Sequence, residues 1–359
     1  MTDPFDSLTL DHIELYVADL EFRVSELTGK YGFHLVAASP AEQRTHRSVL
    51  VRQSGISLLL TQGFADDHPA SGYVHVHGDG VANIALRTPD ARVAYGAAVT
   101  RGAEAIAAPA PVERSGHVVA TIRGFGDVLH TLMQWPADST EDDLPPGLVP
   151  VSGRHPVEPA GLLRVDHLAV CVPAGELDPT VAYYEAVLDF SRIFQERITV
   201  GRQAMNSQVV QNRAGDVTLT LLEPDTQLEA GQIDDFVKNH GGAGVQHIAF
   251  SAHDIVASVA TLGKAGVEFL TTPASYYSQL PKRMELARHD VNSLRDLNIL
   301  ADSDHAGQLY QIFTRSTFPR KTLFLEVIER FGAETFGSGN IKALYEAVEL
   351  DRTSPEHGN

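Results

Sequence analysis

His167, His247 and Glu326 each sit inside an apolar, strand-like run: Arg164-Val-Asp-His-Leu-Ala-Val170, Gly244-Val-Gln-His-Ile-Ala-Phe250 and Thr322-Leu-Phe-Leu-Glu-Val-Ile328. Two imidazoles and one carboxylate can occupy one face of a metal ion and leave the opposite positions open for substrate and O2, the pattern of a mononuclear Fe(II) site that activates oxygen. A single histidine in such a run is ordinarily a hydrogen-bonded core residue. The regular separation of about 80 residues changes that reading, because ligands so far apart must come from separate strands that the fold brings together. A local metal finger is excluded.

The elements that carry these residues occur twice. Leu10-Asp-His-Ile-Glu-Leu15 matches Val165-Asp-His-Leu-Ala-Val170, and Gly80-Val-Ala-Asn-Ile-Ala85 matches Gly244-Val-Gln-His-Ile-Ala249. Aligning His130-Thr-Leu-Met-Gln134 with Thr322-Leu-Phe-Leu-Glu326 gives His12, Asn83 and Gln134 at the ligand positions of the first half. One imidazole and two neutral amides make a poor Fe(II) site, so the N-terminal half is expected to be scaffold and His12 a relic or core residue.

Each half begins with a strand, followed by an amphipathic helix over Leu20–Tyr31 or Pro179–Leu188 and by strands such as Ser48–Arg52, Ile56–Thr61, Gln208–Gln211 and Val217–Leu222. Later helices are expected at Asp90–Arg101 and His253–Ala265. Tandem βαβββ modules of this kind curl into two half-open barrels of mixed sheet, an α+β fold with the metal on a concave face. The segment Trp135–Leu163 is rich in Pro and Gly and includes Glu141-Asp142-Asp143, which reads as an extended linker. The expected organisation is an N-terminal domain over 1–140, a linker over 141–162 and a catalytic domain over 163–359.

The 359 residues and 43% hydrophobic content suit two cores. The single Cys171 cannot form an intramolecular disulfide and reads as a buried structural thiol. No signal segment and no membrane-spanning apolar run is evident, so a soluble cytoplasmic protein is expected. A formal net charge of −18 opposes binding to nucleic acid or anionic membranes. Homodimerisation is a further expectation that composition does not fix.

The paired modules, the three ligand contexts, Gly307-Gln-Leu-Tyr-Gln-Ile-Phe-Thr314, Thr322-Leu-Phe-Leu-Glu-Val-Ile-Glu329 and Phe336-Gly-Ser-Gly-Asn340 resemble the 4-hydroxyphenylpyruvate dioxygenases and 4-hydroxymandelate synthases of the vicinal oxygen chelate superfamily. The resemblance covers nearly the whole chain. It implies Fe(II) as cofactor, 4-hydroxyphenylpyruvate and O2 as small-molecule substrates, and oxidative decarboxylation of the 2-oxo acid. Hydroxylation of the ring with side-chain migration then gives homogentisate, whereas hydroxylation of the benzylic carbon gives 4-hydroxymandelate. A metal-free binding module of the same fold is the alternative from another class, disfavoured because all three ligands persist.

Four departures bear on the product. Homogentisate-forming relatives carry a Pro-X-Asn-Glu-Pro segment where this chain has Thr220-Leu-Leu-Glu-Pro224, so Thr220 replaces Pro and Leu222 replaces Asn. They carry Phe where Ile341 and Tyr345 stand after the Phe-Gly-X-Gly-Asn motif. Loss of an amide and of a flat wall, with a hydroxyl gained at Tyr345, repositions the substrate ring and matches the synthase pattern. The resemblance also implies that Ser207, Gln232, Gln246 and Gln311 are polar pocket residues, and that Phe194, Val209, Leu222, Phe336, Asn340 and Ile341 contact substrate. Gln246, adjacent to a ligand in a strand, is expected to point to the opposite face. The last helix, with Ile341, Leu344, Tyr345 and Val348 on one face, is expected to be a lid hinged at Gly337 and Gly339. His68, His75 and His77 read as a solvated loop.

Overall fold

The computed structural model describes residues 3–113, 115–140, 143–151, 159–335, 339–340 and 342. The first half contains strands β1 (Thr9–Tyr16), β2 (His34–Ala38), β3 (His46–Gln53), β4 (Ile56–Gly63), β5 (Gly80–Arg87), β6 (Ala105–Pro111), β7 (Val118–Arg123), β8 (Leu129–Gln134) and β9 (Val149–Pro150). The second half contains β10 (Leu162–Cys171), β11 (Ser191–Val200), β12 (Gln203–Gln211), β13 (Thr218–Pro224), β14 (Gly244–Ala252), β15 (Leu300–Ser303), β16 (Gln308–Phe313) and β17 (Phe324–Phe331). Helices α1 (Leu20–Lys30), α2 (Pro69–His77) and α3 (Ala91–Thr100) belong to the first half. The second half has α4 (Leu177–Leu188), α5 (Gln232–His240), α6 (Ile255–Lys264), α7 (Ala274–Arg283) and α8 (Val291–Asp296).

The first sheet runs β6-β7-β8-β5-β1-β4-β3-β2-β9 and the second β11-β12-β13-β10-β14-β17-β16-β15. Apart from the short β9, the two orders are the same. Each half is a pair of βαβββ modules joined through antiparallel central strands, β1 with β5 and β10 with β14. The α+β architecture expected from the repeat is the one observed. Val149–Pro150, within the stretch read as linker, pairs with β2 and so belongs to the first sheet.

Local chemistry explains the helix boundaries. The side chains of Asp19, Asp90 and Asp254 accept from first-turn N–H groups of α1, α3 and α6, satisfying donors that have no intrahelical partner. Along β10, Leu168 and Val170 enter the large shared core while Ala169 and Cys171 face the opposite side, the period of two expected of a strand. That shared core joins the halves: Phe33 packs edge-on against Phe250 at 5.9 Å.

One expectation is corrected here. His75 and His77 lie in helix α2, and His68 is its N-cap rather than part of a solvated loop. Tertiary packing overrides weak local propensity, since buried His77 bonds the His240 carbonyl at 2.8 Å and Asp127 at 2.9 Å. Ser191–Val200 forms a long edge strand in which Phe194, Ile198 and Val200 alternate with the exposed Ile193, Gln195, Arg197 and Thr199.

Candidate metal centre

His167 comes from β10, His247 from β14 and Glu326 from β17, three neighbouring strands of the second sheet. In register, His167 lies opposite Ala249, and Ala249 lies opposite Glu326. The three side chains are buried, and their ligand atoms lie within 4.8 Å of one another. His167 Nε2 and His247 Nε2 stand 3.4 and 3.2 Å from the same oxygen, Glu326 Oε2. Cis ligands about 2.1 Å from one ion lie about 3 Å apart, so the donor set fits a divalent cation on geometry as well as on chemistry.

Electrostatics point the same way. Burial alone lowers the His167 pKa, but the facing Glu326 carboxylate and the Asp166 hydrogen bond outweigh it and raise it to about 9. Burial dominates at His247 and lowers its pKa. Burial would raise Glu326, yet the two imidazoles, His167 foremost, hold it below the usual carboxylate range. The negative potential that draws a proton to His167 is the one that draws a metal ion.

The centre opens into a recess lined by Met205, Thr220, Leu222, Gln232, Ile233, Gln246, Gln311 and Phe313 besides His167, His247 and Glu326. Ser207 and Val209 on β12 lie directly opposite Leu222 and Thr220, on the same sheet face. Phe194 lies opposite Val209 from the edge strand β11. Among the described residues, the hydroxyls of Ser207 and Thr220 and the Oε1 of Gln311 are buried without a hydrogen-bond partner. Unmatched polar atoms in an apolar recess are costly unless a ligand or water meets them.

Gln246 corrects the expectation that it points away. The β10–β14 register shifts between the pairs Ala169–His247 and Val170–Val245, so a bulge turns both Gln246 and His247 inward. Gln246 Oε1 lies 3.3 Å from His247 Nδ1. Asn340 is fully buried; its N–H donates to Asp302 at 3.0 Å, and its amide oxygen accepts from Tyr276 at 3.1 Å. Phe336, Ile341 and Tyr345, and with them the lid helix, lie outside the described residues.

Two aromatic residues escaped the sequence reading. Phe324 stacks on His247 with centroids 5.0 Å apart, and Phe313 meets the same ring edge-on at 5.9 Å. Phe324 stands two residues before Glu326 and Phe313 two after Gln311, so strand periodicity alone puts them on the same faces.

Among the described residues the first half has no such donor set, and the register corrects its alignment. Asn83 lies opposite Leu129 as His247 lies opposite Phe324, so the counterpart of Glu326 is Thr131 rather than Gln134. Gln134 instead accepts from the Ala91 N–H at the start of α3.

Comparison with known proteins agrees with this architecture. Residues 2–141 match the model described as hydroxyphenylpyruvate dioxygenase, N-terminal, and residues 164–282 match the glyoxalase/bleomycin resistance protein/dioxygenase superfamily. The 4-hydroxyphenylpyruvate dioxygenase of Xenopus tropicalis is 32% identical over 96% of this chain and 91% of its own length. That of Dictyostelium discoideum is 30% identical over 97% and 99%. Among solved structures, a triple mutant of 4-hydroxymandelate synthase from Streptomyces coelicolor superposes with a TM-score of 0.86 at 42% identity, covering 96% of this chain and 98% of that one. The chain therefore belongs to the 4-hydroxyphenylpyruvate dioxygenase family, close to 4-hydroxymandelate synthase, within the vicinal oxygen chelate superfamily.

Proposed function

We propose that this protein is a 4-hydroxymandelate synthase, converting 4-hydroxyphenylpyruvate and O2 into 4-hydroxymandelate and CO2. One oxygen atom ends in the new carboxylate and the other in the benzylic hydroxyl. The catalytic unit is the C-terminal domain, 163–359, and the N-terminal domain, 1–140, is its scaffold. His167, His247 and Glu326 would hold Fe(II), which would supply Lewis acidity and a redox centre that passes electrons from the 2-oxo acid to O2.

The chain's own part is orientation and dryness. Met205, Leu222, Ile233 and Phe313 give the cavity an apolar wall that excludes water from the reacting end. Phe324 and Phe313 hold the His247 ring. Ser207, Thr220 and Gln311 offer unpartnered polar atoms to the polar groups of the substrate, with Gln232 and Gln246 as further amides at the wall. Phe194 and Val209 continue the apolar surface, and Phe336, Asn340, Ile341 and Tyr345 are assigned to the same pocket by resemblance alone.

Leu222 carries the choice of product. It lines the cavity, at the place where the resemblance puts an Asn in homogentisate-forming relatives; without that amide to hold the ring, the benzylic carbon would be presented instead. The 42% identity to 4-hydroxymandelate synthase supports the same reading. Homogentisate formation is the second reading, favoured by the 30–32% identity to dioxygenases along almost the whole chain. The test is to load the purified protein with Fe(II) without oxygen, add 4-hydroxyphenylpyruvate and air, and separate the isomeric products by chromatography. A 4-hydroxymandelate peak is expected; homogentisate would overturn the synthase reading and leave the family intact.

A further inference from the structure

Asp166 sits beside His167 at a strand irregularity, where the register shifts between the pairs Val165–Phe250 and His167–Ala249. The shift lets two consecutive side chains meet: Asp166 Oδ1 lies 2.9 Å from His167 Nδ1. Arg330 then grips the same carboxylate with two prongs, Nη2 donating to Oδ1 at 2.8 Å and Nε to Oδ2 at 2.9 Å. Its third nitrogen, Nη1, donates to the Thr335 carbonyl at 2.9 Å. Arg330 lies four residues beyond Glu326 on β17, so one strand supplies both a candidate ligand and the clamp on the partner of another.

The other histidine is held differently. His247 Nδ1 meets only the neutral Gln246 amide oxygen, at 3.3 Å, among its described hydrogen bonds. The first half is an internal control. Asp11 lies 2.6 Å from His12 Nδ1 in the equivalent strand, but its second oxygen accepts from the neutral Trp135 indole at 2.5 Å. The Asp–His contact thus belongs to the repeated strand, and the guanidinium fork is particular to the half that carries the donor set.

From this arrangement we infer that Asp166, clamped by Arg330, is a positioning residue that holds His167 with its proton on Nδ1 and its Nε2 lone pair towards the metal, so that the pair sets metal affinity. The inference rests on the metal centre proposed above. A hydrogen-bonded carboxylate fixes the tautomer and ring angle and makes the imidazole a stronger donor, an effect that costs about 10–100-fold in affinity when removed. The bidentate fork prevents the carboxylate from rotating away or turning towards the metal itself.

The test is Co(II) binding to the full-length protein, followed by visible absorption and by competition with a chelator. Asp166→Asn alone removes the carboxylate that Arg330 grips and keeps the guanidinium, so the double variant Asp166→Asn/Arg330→Met removes both charges together. Both variants should bind Co(II) about 10–100-fold more weakly, with an altered Co(II) spectrum, while Asp11→Asn binds as the parent does. Variants whose thermal stability falls but whose affinity and spectrum match the parent would reduce the pair to a structural role and overturn the inference. A parent protein that holds no Co(II) would instead overturn the metal-centre reading, and this inference with it.

Discussion

Thr131 and Glu326 occupy the same register position in the two halves: Thr131 lies opposite Ala85 across β5 and β8, as Glu326 lies opposite Ala249 across β14 and β17. The exchange accounts for what the first half has become. Asn83, the counterpart of His247, donates to Thr131 Oγ1 at 3.0 Å and to Glu14 at 3.3 Å, and Glu14 also accepts from Thr61 at 2.8 Å. A chain of hydrogen-bonded side chains fills the space that the second half gives to the candidate ligand atoms of His167, His247 and Glu326.

One divalent metal ion per chain is therefore expected. Metal analysis after anaerobic loading should show that His247→Ala and Glu326→Ala lose the ion, while His12→Ala keeps it. A second bound equivalent that disappears with His12→Ala would mean that the first half is a metal site after all.

Product choice should respond to the wall at β13. Thr220→Pro/Leu222→Asn restores the residues of homogentisate-forming relatives and should raise the share of homogentisate in the chromatogram, with total turnover reduced. An unchanged ratio would remove Leu222 from the account of selectivity and shift attention to Ile341, for which Ile341→Phe is the matching variant.

Stability should fall on acidification. Burial pushes His130 down to about 4 despite its bond to the Ile84 carbonyl, and burial followed by the neighbouring His77 pushes His240 to about 4. Unfolded histidine titrates near 6.5, so between about 6.5 and 4 the unfolded chain binds more protons than the folded one. The contribution of each group is complete above about pH 6.5 and is lost as pH falls towards 4, at most about 3 kcal/mol apiece. Urea midpoints should decline between pH 7 and pH 5, and His130→Gln should flatten the decline. A midpoint that held steady over this range would contradict the buried, neutral state of these rings.

The halves are fastened by Arg23. This buried side chain reaches Glu26 at 2.9 Å and Asp79 at 3.2 Å, donates to Thr317 Oγ1 at 2.8 Å, and lies 3.7 Å over the Phe318 ring. Arg23→Met strips two carboxylates of their shared cation, and breaking a buried pair from one side costs about 3–5 kcal/mol. Urea unfolding should register that loss; a change below about 1 kcal/mol would show that Glu26 and Asp79 find other partners.

Much of this protein was legible along the chain. Duplicated motifs announced the two halves and the βαβββ order, because the side-chain periods of strand and helix leave a trace in any amphipathic element. His167, His247 and Glu326 were readable because a charged or imidazole side chain in an apolar run is costly without a partner. Periodicity also contained Phe313 and Phe324, although neither was drawn from it.

Strand register decided the rest. A shift of one residue exchanges the two faces of a strand, so only the assembled sheet revealed that Thr131 rather than Gln134 answers to Glu326, and that a bulge turns Gln246 inward. The grip of Arg330 on Asp166 spans 164 residues of chain, and that of Arg23 on Thr317 spans 294. No local pattern encodes such pairs, because their partners meet only once the two sheets have formed and the shared core has closed between them.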